Sequence, residues 1–256
     1  MPFSLDYYRA MLFNLLGAGR TPITIAKALD LEIEHASSRV VLRHDVDRFA
    51  RRAVAMAELE HDLGIQSTYY FRCTRTGRFP SDAIRTIAEL GHEVGYHYET
   101  LSQFGGSPQL AVKAFIRNLS KFRQVAPCQT ISMHGAPLSR HDNQDLIEHL
   151  ELTSLHIKGD AVRDMRRLHP VYVTDTGGNW NLSGHRNRRD VAGEIREDVP
   201  DFLDAVALSV YCASLPRLLY INSHPERWPN TMIGRMQVVA TDMLSNIAKR
   251  VVRLGT

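Results

Sequence analysis

The sequence lacks the features that mark several large classes of protein. Its 256 residues include only three cysteines. They are isolated and show no Cys-x-x-Cys spacing, which argues against a disulfide framework and against a thiolate zinc site. The net charge is only +3 and no long basic run occurs, so nucleic acid is not an expected partner. No repeat, low-complexity tract or linker-like stretch is present. These absences, together with an apolar content of 44%, are typical of an ordinary globular protein.

Long apolar runs are also missing. The stretch MPFSLDYYRAMLFNLLGAGR is interrupted by Asp6, Arg9 and Asn14, which makes it a poor signal peptide and too short an apolar span for a membrane helix. Its apolar residues instead share one face of a helix that a serine can cap: Ser4, followed by Leu5, Tyr8, Leu12 and Leu15. We therefore expect an amphipathic helix docked on a cytoplasmic domain, with no transmembrane segment.

From residue 39 onward, short apolar strands alternate with helical patterns. Strands are predicted at 40–46, 67–73, 92–97, 130–135, in SLHIKGD, in VYVTDTG and at 217–225. Helices are predicted at about 51–64, 81–91 with Ser81 as the cap, 108–125, 143–150, 201–214 and 233–253. Such alternation indicates parallel strands joined by right-handed crossovers. We predict an α/β fold, a distorted (β/α) barrel of six or seven parallel strands. It forms a single domain over 1–256, with an N-terminal helical extension, 1–38, packed outside.

Ionisable side chains stand where these strands end, and in parallel α/β folds that edge forms the site. The residues are Asp45, Asp47, His97, His134, Asp175 and His224. Imidazoles and one carboxylate together can form a facial site for a divalent metal, with positions left open for water and substrate. A second carboxylate nearby can take a proton from that water. The strand ends therefore indicate a metal-dependent hydrolase.

Five segments resemble, in order, the motifs of the polysaccharide deacetylase family. These are RHDVD, GHEVGYHYETL, SMHG, TDTGGNW and LLYINSHPERW. The family consists of metal-dependent amidohydrolases of N-acetylated sugars with a distorted β/α barrel. The combination is similar to a cytoplasmic branch of the family that is associated with bacterial surface-polysaccharide (O-antigen, lipopolysaccharide) synthesis.

The resemblance implies roles for the strand-end residues. Asp45 corresponds to the catalytic base and His97 to the first metal-binding histidine. The family's metal-binding aspartate is replaced by Val46, so Asp47 has to supply that ligand. The second metal-binding histidine is replaced by Leu101, and His134 is the substitute we favour, with Glu99 or His92 as alternatives.

The later motifs supply the acid and the expected contacts to substrate. His224 corresponds to the family's general acid and Asp175 to the residue that orients it. The family's third-motif arginine, which pairs with the base, is missing, and Arg43 or Arg140 could replace it. Substrate contacts are predicted for four residues: Arg43, Trp180, Arg188 and Trp228. A group of arginines in the middle of the chain could hold a carboxylate or diphosphate: Arg163, Arg166, Arg167, Arg186, Arg188 and Arg189.

We thus expect a carbohydrate N-deacetylase that acts on an acetamido sugar, anionic or diphosphate-linked, with zinc bound, or else cobalt, nickel or manganese. Three alternatives remain open. The barrel could hydrolyse another amide, such as a cyclic amide or ureide. The opening Asp-x-Asp and the segment KGDAVRD, residues 158–164, could belong to a haloacid-dehalogenase-like phosphatase. The motif departures could also mark an inactive carbohydrate-binding protein.

Overall fold

The computed structural model describes residues 3–136, 138–176, 180, 189–215 and 217–229, and between 231 and 240 all but 232, 235 and 239. Seven strands form one sheet in the order β6-β5-β4-β3-β2-β8-β7, and a short β1 pairs with the start of β2. Their bounds are β1 Thr21–Ile23, β2 Arg39–Val46, β3 Thr68–Phe71, β4 Glu93–Tyr98, β5 Thr130–Met133, β6 Gly159–Asp160, β7 Val171–Thr174 and β8 Leu219–Ser223. Every described pairing is parallel. The sheet curls into a half-barrel, which confirms the predicted fold class.

The longer helices lie close to where the apolar periodicity predicts them. The departures concern a helix cap, a 3-10 helix and the N-terminal segment, and the short helices at 25–28 and 100–103 have no individual counterpart among the predictions. Their bounds are α1 Leu5–Gly17, α2 Ile25–Ala28, α3 Ala50–Asp62, α4 Ser81–Glu89, α5 Thr100–Gln103, α6 Pro108–Arg123 and α7 Ala205–Ser214. Ser81 is the first helical residue of α4 and makes no capping bond. The segment predicted as a helix at 143–150 is a 3-10 helix, Asn143–His149. The N-terminal segment 1–38 contains β1 besides its helices, and its Ile23, Ile25 and Ala28 pack with the inward-facing tyrosines of the sheet, so only part of this segment lies outside as predicted. Most of the predicted helix over 233–253 lies outside the described residues.

Alternation along β2 separates two environments. Val41 packs with tyrosines inside the half-barrel, whereas Val40 and Leu42 pack with α1 and α7 on the outside. Because side chains alternate across a strand, Arg43 and Asp45 share the inner face and His44 points to the helical layer. The central strand therefore places ionisable side chains on both faces of the sheet.

Helix α1 docks through the face that the sequence predicts. The Ser4 side chain accepts a hydrogen bond from the backbone N–H of Tyr7 and caps the helix. Tyr8, Leu12 and Leu15 are buried against the outer layer. None of the described helices is long and apolar enough to cross a membrane.

A buried carboxylate, Glu60 of α3, ties this layer together. It accepts hydrogen bonds from the hydroxyls of Tyr8 (2.5 Å), Ser67 (2.5 Å) and Tyr69 (2.7 Å). His44 Nε2 lies 2.9 Å from its Oε1. Glu60 is fully buried, and a buried charge is tolerated only when it is paired and hydrogen-bonded. The cluster therefore links α1, α3, β2 and β3 through a single group.

Replacing Glu60 with glutamine should destabilise the fold by about 3 kcal/mol, because the amide cannot accept all four bonds and loses the charge. Glu58→Gln, on the exposed face of the same helix, should change stability by less than about 0.5 kcal/mol. Chemical denaturation of both variants measures this. Equal unfolding midpoints for Glu60→Gln and the wild-type chain would show that the cluster contributes nothing.

The same carboxylate should affect stability in acid. Burial alone would raise the pKa of Glu60, but His44 and the other donors lower it to about 2. Its pKa in the unfolded chain is about 4.3, so its contribution is complete above that pH and is lost as the pH falls towards 2. The difference in stability between wild type and Glu60→Gln should therefore shrink over this range. A difference that does not vary with pH would contradict this.

Candidate metal centre and acid-base residues

The parallel sheet gathers the candidate residues at one edge, the carboxyl ends of the strands. β2 contributes Asp45 and leads into Asp47, β4 ends near His97, and His134 follows β5. On the other side of β2, Asp175 follows β7 and His224 follows β8. The edge thus brings together the side chains that the sequence places at strand ends.

The inner face of β2 carries a buried ion pair. Arg43, with none of its surface exposed, donates from Nε to Asp45 Oδ1 (2.8 Å) and from Nη2 to Oδ2 (2.7 Å). Asn222 Nδ2 donates to the same Oδ2 (3.1 Å). Burial would raise the pKa of Asp45, but Arg43 and the nearby histidines lower it to about 2. Asp45 is therefore a carboxylate held in a fixed orientation. Of the two arginines considered from the sequence, Arg43 pairs with Asp45, whereas Arg140 is exposed.

His97 presents a lone pair to two carboxylates. Its Nδ1 lies 3.1 Å from the carbonyl oxygen of Ser132, which can only accept, so the proton is on Nδ1. Nε2 faces Asp47 Oδ1 at 3.7 Å and Asp45 Oδ2 at 3.8 Å. Burial lowers the pKa of His97 to about 4 despite these carboxylates. A neutral nitrogen and two anionic oxygens facing one another are best satisfied by a cation between them.

His134 faces the same carboxylate from the other side. Its Nε2 lies 3.7 Å from Asp47 Oδ2, and its Nδ1 lies 2.9 Å from Glu99 Oε2. Glu99 is itself held by Arg72, whose Nη2 donates to both carboxylate oxygens at 2.6 Å. A carboxylate behind a histidine, with the other ring nitrogen facing the site, is the arrangement that commonly orients a metal-binding imidazole.

Asp47, His97 and His134 fit a divalent metal. Ligands bound about 2.1 Å from a tetrahedral ion lie roughly 3.4 Å apart, close to the 3.7 Å between Asp47 and each histidine. Asp47 Oδ1 is buried without a hydrogen-bond partner, which an ion would satisfy. No group of three or more His, Cys, Asp or Glu side chains in the described part of the chain stands in a metal-binding arrangement, so these three side chains would have to move closer together to hold an ion. Two imidazoles and a carboxylate suit zinc and the related divalent ions.

The alternative third ligands are engaged elsewhere. His92 Nε2 lies 3.0 Å from the carbonyl oxygen of Ala57, and its Nδ1 accepts from the backbone N–H of Ser67. Glu99 lies behind His134 and pairs with Arg72. Leu101 is buried in the core. The placement therefore favours His134.

On the opposite side, His224 and Asp175 form a buried dyad. His224 Nδ1 lies 2.7 Å from Asp175 Oδ1, and the backbone N–H of His224 also donates to this carboxylate. Burial disfavours the charged ring, but Asp175 and two further carboxylates raise the pKa of His224 to about 10. His224 is thus a cationic imidazole near neutral pH.

The aromatic and basic residues expected at the substrate lie elsewhere than predicted. Trp228 is buried, packs on Tyr8 and donates from Nε1 to Asp175 (2.7 Å), so it orients the dyad instead of offering a face to a sugar. Trp180 packs between Phe202 and Trp228. Arg43 is fully buried and pairs with Asp45, so its guanidinium is not exposed to a substrate.

The arginine group shows the same pattern. Among its described members, Arg163 pairs with Asp164, Arg166 and Arg167 donate to backbone carbonyls, and Arg189 donates to the carbonyl of His141. Arg186 and Arg188 lie outside the described residues. The described arginines therefore all donate to groups of the protein itself.

Sequence reasoning missed several residues that shape the site. Arg72 bridges Glu99 and Asp47, Asn222 and Ser132 hold the Arg43–Asp45 pair, and Glu226 lies buried beside the dyad. Arg72 and Asn222 also stand at or next to strand ends, so the criterion that found the histidines could have found them.

No protein-family profile and no curated protein sequence matches the chain. The solved structures with a similar backbone fold include the following two. One is a CE4 family pseudoenzyme from Bacillus anthracis, with a TM-score of 0.45 at 9% identity over 80% of this chain and 60% of that one. The other is a mutant of that pseudoenzyme with restored enzymatic activity, with a TM-score of 0.43 at 10% identity over 80% and 61%. The chain thus spans about three fifths of their length, and what its own site can do follows from the side chains above.

Metal binding should fail first at the three proposed ligands. Asp47→Ala and His97→Ala should lose tightly bound zinc while remaining folded, and His134→Ala should weaken binding. Glu99 lies behind His134 and is not a proposed ligand, so Glu99→Gln should weaken zinc binding by about 10–100-fold. His149→Ala, an exposed histidine, is the control. Zinc content after dialysis and titration calorimetry measure these effects. Unchanged zinc affinity in His134→Ala would overturn its assignment as the third ligand.

Proposed function

We propose that the chain is a metal-dependent amidohydrolase that removes an acetyl group from an acetamido sugar. One observation carries the proposal: a fixed carboxylate, Asp45, and an imidazole paired with a carboxylate, His224, lie at the ends of neighbouring strands beside three candidate metal ligands. Amide hydrolysis needs these three elements, since a water has to be activated, an oxyanion stabilised and an amine protonated.

The sheet register supports the pairing of base and acid. His44 and Ser223 are opposite each other in the β2–β8 pairing, so the next residues along the two strands are Asp45 and His224. On the β4 side, His97 Nε2 lies 3.8 Å from Asp45. The base is thus placed between the metal-binding side chains and the acid.

A divalent ion held by Asp47, His97 and His134 would supply Lewis-acid chemistry, polarising the acyl oxygen and making water more acidic. Asp45 removes a proton from the water as the water oxygen forms a bond to the acyl carbon. Arg43 and Asn222 keep the carboxylate oriented during this step. His224, oriented by Asp175 and Trp228, gives a proton to the amide nitrogen as the C–N bond breaks. The products are acetate and a free amine.

The finer proposal is that the acetamido sugar belongs to a precursor of a surface polysaccharide such as O-antigen. Its test is an acetate-release screen of free, nucleotide-linked and lipid-linked acetamido sugars, with zinc, cobalt, nickel and manganese each added. Acetate from a carrier-linked sugar supports the proposal. Hydrolysis of only cyclic amides or ureides would replace it with the related amidohydrolase function.

The phosphatase alternative fits the geometry less well. Lys158, which that chemistry would use at the site, pairs with Asp30 at 2.6 Å. Asp160 accepts bonds from the backbone N–H groups of Val162 and Arg163, and Asp164 pairs with Arg163. Asp160 and Asp164 therefore stabilise a turn. The phosphatase alternative would also leave His97, His134 and His224 without a role.

Asp45→Asn should retain metal and lose turnover by about 10²–10⁴-fold, because the amide keeps the shape but cannot accept the proton. Asp62→Asn, on the exposed end of α3, is the matched control and should leave turnover unchanged. Metal content and acetate release are measured on the same preparations. Loss of metal in Asp45→Asn with retention in Asp47→Asn would reverse the two roles.

His224→Ala should also keep its metal and lose turnover. If base and acid serve one reaction cycle, the double variant with Asp45→Asn should lose less than the product of the single losses. Asp175→Asn should lower the turnover number more than it changes the Michaelis constant, because the carboxylate acts on His224 and not on the substrate. A strictly multiplicative double variant would argue that the two residues act in separate processes.

A further inference from the structure

Glu226 is a buried carboxyl that the proposed mechanism leaves unused. It lies in the short 3-10 turn Pro225–Arg227, two residues after His224. Only 5% of its surface is exposed, and its Oε2 is buried with no hydrogen-bond partner. Leaving a buried polar atom without a hydrogen-bond partner destabilises the folded state. Such an atom beside a site calls for an explanation.

The other carboxylates near the site are engaged. Asp45 accepts bonds from Arg43 and Asn222, and Asp175 accepts from His224 and Trp228. Glu99 is held by Arg72. The unpaired oxygen of Asp47 has a use as a metal ligand. Glu226 therefore differs from these neighbours, because neither a protein donor nor the expected metal set accounts for its oxygen.

The surroundings hold the carboxyl in place without satisfying it. Arg52 Nη1 donates to the backbone carbonyl of Glu226 and fixes the turn on α3. The guanidinium of Arg48 lies 3.9 Å from Oε1, too far for a hydrogen bond, and its side chain is 42% exposed.

We propose that Glu226 is a substrate-binding residue whose carboxyl binds a ring hydroxyl next to the acetamido group of the sugar. The acid His224 has to reach the amide nitrogen, so the substrate atoms nearest Glu226 are those adjacent to that nitrogen. A ring hydroxyl can donate a hydrogen bond to the unpaired oxygen of Glu226. This inference rests on the proposed function and adds to it a determinant of specificity.

The stability of variants separates a binding role from a structural one. Glu226→Leu removes a buried, unpaired carboxyl, and the unfolding midpoint should therefore stay the same or rise, as expected where a site sacrifices stability for function. A structural residue would show the opposite. Glu226→Gln keeps hydrogen-bonding atoms and should retain most of the binding. Glu89→Leu, at an exposed glutamate at the end of α4, is the matched control.

Binding is measured with two probes, methyl 2-acetamido-2-deoxyglucopyranoside and its 3-deoxy analogue, which lacks the hydroxyl next to the acetamido group. Calorimetry uses the zinc-loaded protein in the Asp45→Asn background, where turnover is suppressed. Glu226→Leu should weaken binding of the first probe by about 10–100-fold and leave the 3-deoxy probe unchanged. Glu226→Gln should weaken the first probe by less than about 10-fold.

Three results would overturn the inference: equal losses for both probes, loss of zinc in Glu226→Leu, or no binding of either probe to the parent protein. Its failure is separable from that of the proposed function. If the wild-type chain releases acetate and Glu226→Leu binds both probes normally, only the role of Glu226 is wrong. If the probes discriminate as expected but no acetamido sugar releases acetate, the hydrolase assignment is wrong and the sugar site remains.

Discussion

The buried pair of Arg43 and Asp45 is the interaction on which the rest of the site depends. A guanidinium with no exposed surface is strongly stabilised by a nearby counter-charge, and the carboxylate that supplies it is two residues further along the same strand. Ser132 and Asn222, from strands on either side, complete the contacts. The orientation of Asp45 is therefore set by electrostatic necessity within the fold. The remaining site groups are arranged around that fixed carboxylate.

The outer face of the same strand repeats this logic. His44 lies between Ser223 and Glu60, and Glu60 gathers three hydroxyl donors besides. Ser223 immediately precedes His224, and His44 immediately precedes Asp45. The residues next to the proposed base and acid are therefore linked through one buried imidazole. His44 therefore connects the candidate site inside the half-barrel to the helices packed on its outer face.

The positions of the candidate residues follow from sequence because they depend on repeating patterns. Alternation of strands and helices predicts a parallel sheet, and a parallel sheet places strand ends such as those near His97 and His224 on one edge. The partners of these residues do not follow in the same way. The choice of Arg43 over Arg140, or the bond from Trp228 to Asp175, depends on side-chain directions and distances that only tertiary packing sets. Glu60 gave no signal at all, since one glutamate in an amphipathic helix is ordinary until burial is known.

The pairing of β2 with β8 has a consequence for how the chain folds. His44 and Ser223 are separated by 179 positions, so this contact closes a very long loop, which is slow and entropically costly. Until β8 arrives, one edge of β2 is unpaired, and its apolar residues offer a template for pairing with other chains. A nascent chain that already contains β2 to β5 thus carries an open edge, and the bonds that Asn222 and Ser223 make to β2 are still missing. Aggregation competes with folding during this interval, and the protein would gain most from chaperone protection then.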